Sequence, residues 1–234
     1  MNNQNSLVTG SAVDAPSNVM RQEPLHCVFV HAPDPIYANT QNYGAMFMPV
    51  WAYTLAAHIP DDGRFTLALC DTRFETLSRI PTLNVAIFSG INQDYASLEH
   101  QQEQLRQRLP NVVTIIGGPI CWSFDQAGDL DKLAMFDQIF IGDGENAIAG
   151  ILEDILAGRT LEPIVRNRTR FDIKLARGFD RKLLEGTIDR YYGAVLEVSR
   201  GCPFLCEFCD IRILPDNNRP HNKSPDLIVS EIDR

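Results

Sequence analysis

No apolar stretch in this chain approaches the roughly 20 residues that a helix needs to span a bilayer, which excludes a helical membrane span within its 234 residues. The start lacks the apolar core of a signal peptide, because Met1 to Gln22 is polar and rich in Ser and Asn. It is expected to form a disordered leader over residues 1–24. Positive charge is in short supply: 21 Lys and Arg face 30 Asp and Glu, a net charge of -9. That balance argues against a nucleic-acid partner held by phosphate neutralisation. Six cysteines without a secretion signal point to a reducing interior and so to a cytoplasmic location, with peripheral contact to a membrane left open.

What the chain does have is three cysteines close together. Cys202, Cys206 and Cys209 stand in Arg200-Gly-Cys-Pro-Phe-Leu-Cys-Glu-Phe-Cys-Asp210, a Cys-x3-Cys-x2-Cys spacing. Three thiolates on one short loop can hold three irons of a 4Fe-4S cube and leave the fourth iron open to a small molecule. Zinc is the rival metal, with His221 as a fourth ligand. Structural zinc sites usually come as two ligand pairs separated by a longer span, a pattern lacking here. A loop of Gly-Cys-Pro type is poor material for a core, so three buried packing thiols are the weakest reading. Cys27, Cys70 and Cys121, by contrast, lie in or beside apolar runs and read as packing residues.

Upstream of this loop, strand and helix signals alternate. Near-continuous apolar runs at 26–31, 65–70, 84–88, 112–116 and 138–141 read as strands covered on both faces. Ile148, Ile151, Leu152, Ile155 and Leu156 follow the helical pattern up to Gly158, and Tyr95, Leu98, Leu105 and Leu109 make a thinner stripe. Residues 45–59 are a third helix candidate, with Pro49 at its start or at a kink. The expected fold is α/β: a flavodoxin-like, doubly wound parallel sheet of order 2-1-3-4-5 over 25–159. Residues 160–190 carry Arg166, Arg168, Arg170, Lys174, Arg177, Arg181 and Lys182 and are expected to be a solvated linker. At 44% hydrophobic, the chain has material for one domain and part of a second. The second would start at 191, with a strand over 194–199 and a helix capped by Ser224 and opened by Pro225, its Leu227, Ile228 and Ile232 on one side.

Ligands of such a sheet bind outside the C-terminal ends of its strands. Ser89-Gly90 after the third strand and Gly117-Gly118 after the fourth are the candidate contacts, glycine allowing close backbone approach and serine offering a hydroxyl. His31 reads as a loop or packing residue. Gly142-Asp-Gly-Glu145 reads as carboxylates favoured at a helix N-terminus.

The cysteine loop resembles that of the radical S-adenosylmethionine (SAM) superfamily. Its Phe208 matches the aromatic residue which that family sets against the adenine of SAM, and 194–199 matches its first barrel strand. With an α/β domain directly before the loop, residues 25–234 resemble the cobalamin-binding class of the superfamily, including hopanoid methylase-like proteins. Arg200-Gly-Cys-Pro-Phe204 and Lys223-Ser-Pro225 are shared features. The resemblance implies a 4Fe-4S cluster on Cys202, Cys206 and Cys209, and SAM cleaved to a 5'-deoxyadenosyl radical. It implies cobalamin with its nucleotide tail at Ser89 and Gly117-Gly118, and methylation of an unactivated carbon in a lipid-like small molecule. An electron donor such as flavodoxin or ferredoxin would be the protein partner. The Asp-x-His-x-x-Gly motif of many cobalamin domains is absent from 31–44, so a protein histidine below the cobalt is unsupported. Barrels of this family continue through several further β/α units. The expectation is therefore an N-terminal portion of a longer enzyme, or alternatively a cobalamin-binding module with an incompetent radical SAM segment.

Overall fold

Strand β1 (Leu25–His31) alternates between two cores. Leu25, Cys27 and Phe29 pack on one side of the sheet, and Val28 and Val30 on the other. Side chains on a strand point alternately to opposite faces, so an unbroken apolar run means that both faces are covered. The computed structural model describes residues 23–35, 46–193, 195–209 and 219–233. The expected leader over 1–24 falls almost wholly outside the described residues.

Strands β2 (Phe65–Asp71), β3 (Val85–Ser89), β4 (Val113–Gly117), β5 (Gln138–Ile141) and β6 (Ile164–Arg166) join β1 in one parallel sheet of order β2-β1-β3-β4-β5-β6. The expected order 2-1-3-4-5 is present, extended at one edge by β6, whose Ile164 pairs with Ile139. Helices α1 (Val50–Ala56), α4 (Ile148–Leu156) and α5 (Arg181–Glu185) cover the Phe29 face. Helices α2 (Tyr95–Arg108) and α3 (Pro119–Ala127) cover the Val30 face. This is a flavodoxin-like, doubly wound fold.

Two expectations need correction. Residues 160–190 are not a solvated connection: Phe171, Ile173, Phe179, Leu183 and Leu184 are buried, and β6 completes the sheet. Two of the basic residues of this segment make surface ion pairs, Arg166 with Asp125 and Lys182 with Asp61, each at 2.7 Å. The strand expected over 194–199 is reduced to β7 (Ser199–Arg200), antiparallel to β8 (His221–Asn222). Before Ser199, Val195 and Leu196 pack against the core of the sheet instead. The last helix, α6 (Pro225–Ile232), forms as expected, with Ser224 Oγ accepting from Leu227 N at 3.2 Å. It leaves Ile232 65% exposed and buries Glu231, whose carboxylate accepts from Lys223 Nζ at 2.9 and 3.1 Å.

A buried polar knot sits where β1 and β2 end. Asp71 accepts from Arg73 Nη2 at 2.6 Å and from the Tyr191 hydroxyl at 3.0 Å, and Tyr53 shares a 2.6 Å hydrogen bond with Thr187. Beside it, burial pushes the His31 imidazole down to about 4, and the nearby Asp71 charge offsets this only in part. A base whose folded-state pKa is lowered takes up protons more readily when unfolded. Its contribution to stability is therefore complete above pH 6.5 and is lost as pH falls from there towards 4. The loss amounts to no more than about 3 kcal/mol. Burial also lowers the pKa of His58 and His221, in the same direction. The urea midpoint of the protein should fall over this window, and by less in His31→Gln. An equal fall in both proteins would exclude His31 as a source.

Candidate functional site

A cavity of about 470 Å³ lies at the C-terminal ends of β3, β4 and β5. Ile87, Phe88, Ile115 and Phe140 give it an apolar strand side, and Trp51, Thr54 and Leu55 from α1 form a second wall. Trp122 of α3 and Ile148 and Ile151 of α4 complete two more. The last wall is the Val195–Glu197 stretch with Arg200, immediately before the cysteine loop.

Three of the four residues expected to contact a ligand line this cavity: Ser89, Gly117 and Gly118. Ser89 and Gly117 are register partners across β3 and β4, which puts the two strand ends side by side. Gly118 has φ +86°, and a Cβ there would meet Ser89 Oγ at 2.3 Å. The serine hydroxyl occupies the space that only glycine leaves free. Gly118→Ala should therefore cost about 1–3 kcal/mol, from backbone strain together with the clash. Urea titration of the variant would measure it, and an unchanged midpoint would show that the turn can relax. Gly90 is not on the cavity wall. A Cβ there would meet Leu98 Cδ1 at 2.9 Å, so its smallness admits α2 rather than a ligand. Its carbonyl accepts from Ile120 N at 3.1 Å, which occupies an amide at the start of α3 that could otherwise meet a phosphate.

Two donors beside the cavity are unspent. Trp51 Nε1 and Thr54 Oγ1 are both buried without a hydrogen-bond partner among the described residues. Such groups are rare in folded proteins and call for a partner. The largely apolar walls of the cavity suit a flat, mostly apolar ligand edge. The nucleotide base of cobalamin is a flat, mostly apolar group of that kind, and the apolar walls would suit it.

The carboxylates of Gly142-Asp-Gly-Glu145 do not cap α4, which starts only at Ile148. They turn to Arg200. Its guanidinium donates to Glu145 Oε1, to Glu197 Oε1 at 2.7 Å and to Glu197 Oε2 at 3.0 Å, and it stands 3.6 Å from Asp143 Oδ1. Burial alone would lower the Arg200 pKa, but the hydrogen bond to Glu197 and the charge of Glu145 outweigh it and hold the group above its ordinary range. Sequence reading had no local signal for this cluster, because Glu145 and Arg200 lie 55 positions apart.

The three loop thiols are unpaired, with Cys206 exposed and Cys202 and Cys209 half-buried, and Cys209 N donates to Cys206 O at 3.2 Å. Phe208 beside them is 90% exposed. As a donor set, three free thiols on one loop suit an iron-sulfur cluster. Among the described residues, however, no three Cys, His, Asp or Glu side chains are gathered closely enough to hold a metal. His221, the zinc alternative, instead pairs across β7 and β8 with Arg200. Cys27, Cys70 and Cys121 are buried, as their apolar setting led one to expect, and burial pushes the first two thiols up to about 12. No helix of the described residues is long and apolar enough to cross a membrane.

No protein-family model matches the chain. Among solved structures, the RcsB response regulator of Salmonella typhimurium overlaps it with a TM-score of 0.40 at 10% identity, over 61% of this chain and 64% of that one. Among curated proteins, an uncharacterized methyltransferase of Synechocystis sp. is 27% identical over 186 residues, 79% of this chain and 33% of the relative. The hopanoid C-2 methylase of Rhodopseudomonas palustris is 24% identical over 204 residues, 85% of this chain and 36% of the relative. Both curated relatives are named for methyl transfer, and the chain spans about a third of the length of either.

Proposed function

We propose that this chain is the cofactor-binding portion of a cobalamin-dependent radical SAM methylase acting on a lipid-like small molecule. The observation that carries the reading is a shared wall. The cavity at Ser89 and Gly117-Gly118 is bounded by Val195–Arg200, and Cys202 follows two residues later. Similarity to a protein named as a methyltransferase and to one named as a methylase extends over 79% and 85% of the chain.

In this reading the apolar strand side of the cavity takes the nucleotide end of cobalamin. Gly118 would keep the strand end low enough for close approach. Cys202, Cys206 and Cys209 would hold three irons of a 4Fe-4S cluster, and Phe208 would lie against the SAM adenine. When bound, these cofactors supply the one-electron cleavage of SAM and the methyl group for an unactivated carbon, with a flavodoxin or ferredoxin as electron source. The protein's part is to orient them and to exclude water through the apolar cavity walls.

Anaerobic reconstitution with iron and sulfide tests the loop, and gel filtration with hydroxocobalamin tests the cavity. About four irons per chain, with a paramagnetic resonance spectrum that changes on adding SAM, together with co-eluting corrin, is the expected result. Corrin retained without iron would reduce the chain to a cobalamin-binding module, and retention of neither would refute the reading.

A further inference from the structure

Val195–Val198 forms no strand, yet Val195, Leu196 and Glu197 make one wall of the cavity, and two kinds of contact hold the stretch there. Lys223 N donates to Val198 O at 3.0 Å, and the Arg200 guanidinium reaches across to the β5–α4 loop. The second contact is charged, and one side of it is buried. Glu145 is 6% exposed, so its carboxylate has little water to turn to if the guanidinium leaves. Three carboxylates surround this one cation. Asp143 and Glu145 come from the first domain, and Glu197 from the cavity-wall stretch itself. Without Arg200 these like charges would push the two sides of the seam apart.

We infer that Arg200 is a positioning residue: it latches the 195–200 stretch across the cavity and so fixes where the cysteine loop begins relative to that cavity. The purpose of the alignment rests on the function proposed above, whereas the latch rests only on the charges that meet at this seam. Ligand seated in the cavity touches the same wall that anchors the loop, so occupancy of one site is felt at the other.

The chain supplies its own reporter, since both of its tryptophans, Trp51 and Trp122, line the cavity. Its intrinsic tryptophan fluorescence therefore reads this cavity alone. In Arg200→Gln, acrylamide quenching should rise by about twofold. Amide hydrogen exchange at 195–200 should quicken about tenfold or more, as expected for loss of charge-assisted hydrogen bonds. Exchange at β1 and β3 amides should stay at wild-type rates. Arg200→Lys keeps the charge without the fork and should fall between. In the double variant Arg200→Gln with Glu145→Gln, the buried unpaired carboxylate is gone, and part of the protection should return. Wild-type quenching and exchange in Arg200→Gln would overturn the latch. So would faster exchange throughout the sheet, which marks a general loss of stability. Hydroxocobalamin binding by the wild-type chain separates the two ideas: local loosening in a protein that binds no corrin leaves the latch standing and removes the proposed function, whereas corrin binding without loosening does the reverse.

Discussion

Replacing Lys223 by methionine is expected to destabilise the folded protein by about 3–5 kcal/mol, the range for breaking a buried ion pair from one side. The size follows from geometry. Lys223 and Glu231 both have fully buried side chains, and the ammonium donates to both carboxylate oxygens while lying 5.3 Å from the centre of the Phe179 ring. Methionine leaves Glu231 as an isolated charge with no water to solvate it. Such a loss is a large share of the roughly 5–15 kcal/mol that a domain possesses. The double variant Lys223→Met with Glu231→Leu removes the second charge and should recover most of the loss, because an apolar pair of similar volume often serves as well. Urea unfolding of the two variants beside wild type measures both effects. Equal, small losses in each would mean that water reaches the pair.

Replacing Cys202, Cys206 or Cys209 singly by serine is expected to take bound iron, after anaerobic reconstitution, from about four per chain to near none. A cube held by three protein ligands has no spare one, and a serine hydroxyl is a poor substitute for thiolate. The buried thiols make the contrast. Cys121→Ser should leave iron uptake unchanged and cost about 1–3 kcal/mol, because it puts a hydroxyl among apolar neighbours. Full iron content in all three loop variants would refute the assignment of these residues. Iron lost in Cys121→Ser as well would trace the effect to misfolding.

Strands β1 to β5 could be read from the sequence to within a residue, since an apolar run covered on both faces admits few alternatives. β5 is observed over the very residues expected, Gln138–Ile141. Helix α6 was equally plain in Ser224-Pro225, a cap followed by a residue preset for the first turn. Helix α3 was not marked, because its short stretch follows Gly-Gly-Pro and carries no long apolar stripe. β6 is three residues long and ends in a charged one, and its pairing with β5 makes it a strand. The basic residues of 160–190 drew attention to the surface of that segment and away from Phe179, Leu183 and Leu184, which its chain tucks into the core.

At the site, Ser89, Gly117 and Gly118 were legible as strand-end residues, and the cysteine spacing stood out unaided. Hidden from sequence were Trp51 and Thr54, whose unpartnered donors appear only when α1 is laid beside the sheet. The Arg200 cluster was hidden for the same reason: pairs distant in sequence carry no local pattern. The Gly-Asp-Gly-Glu turn offered a local explanation as a helix-start motif, which the structure replaced with a distant one.

Tyr192 N donates to Met46 O at 3.0 Å, and Phe47 bridges to Gly193, so the stretch that leads into α1 is clasped to the stretch that leaves the α/β domain. Synthesis delivers the chain from its N-terminus, and domains fold as they emerge. The sheet through β6 can therefore assemble early on the ribosome, but α1 is not pinned from both sides until residues 192 and 193 have appeared. The last cavity wall follows within a few residues, and the cysteine loop directly after it. The pocket thus reaches its finished shape only as the thiols emerge, and a nascent chain that stalls before Tyr192 holds neither site.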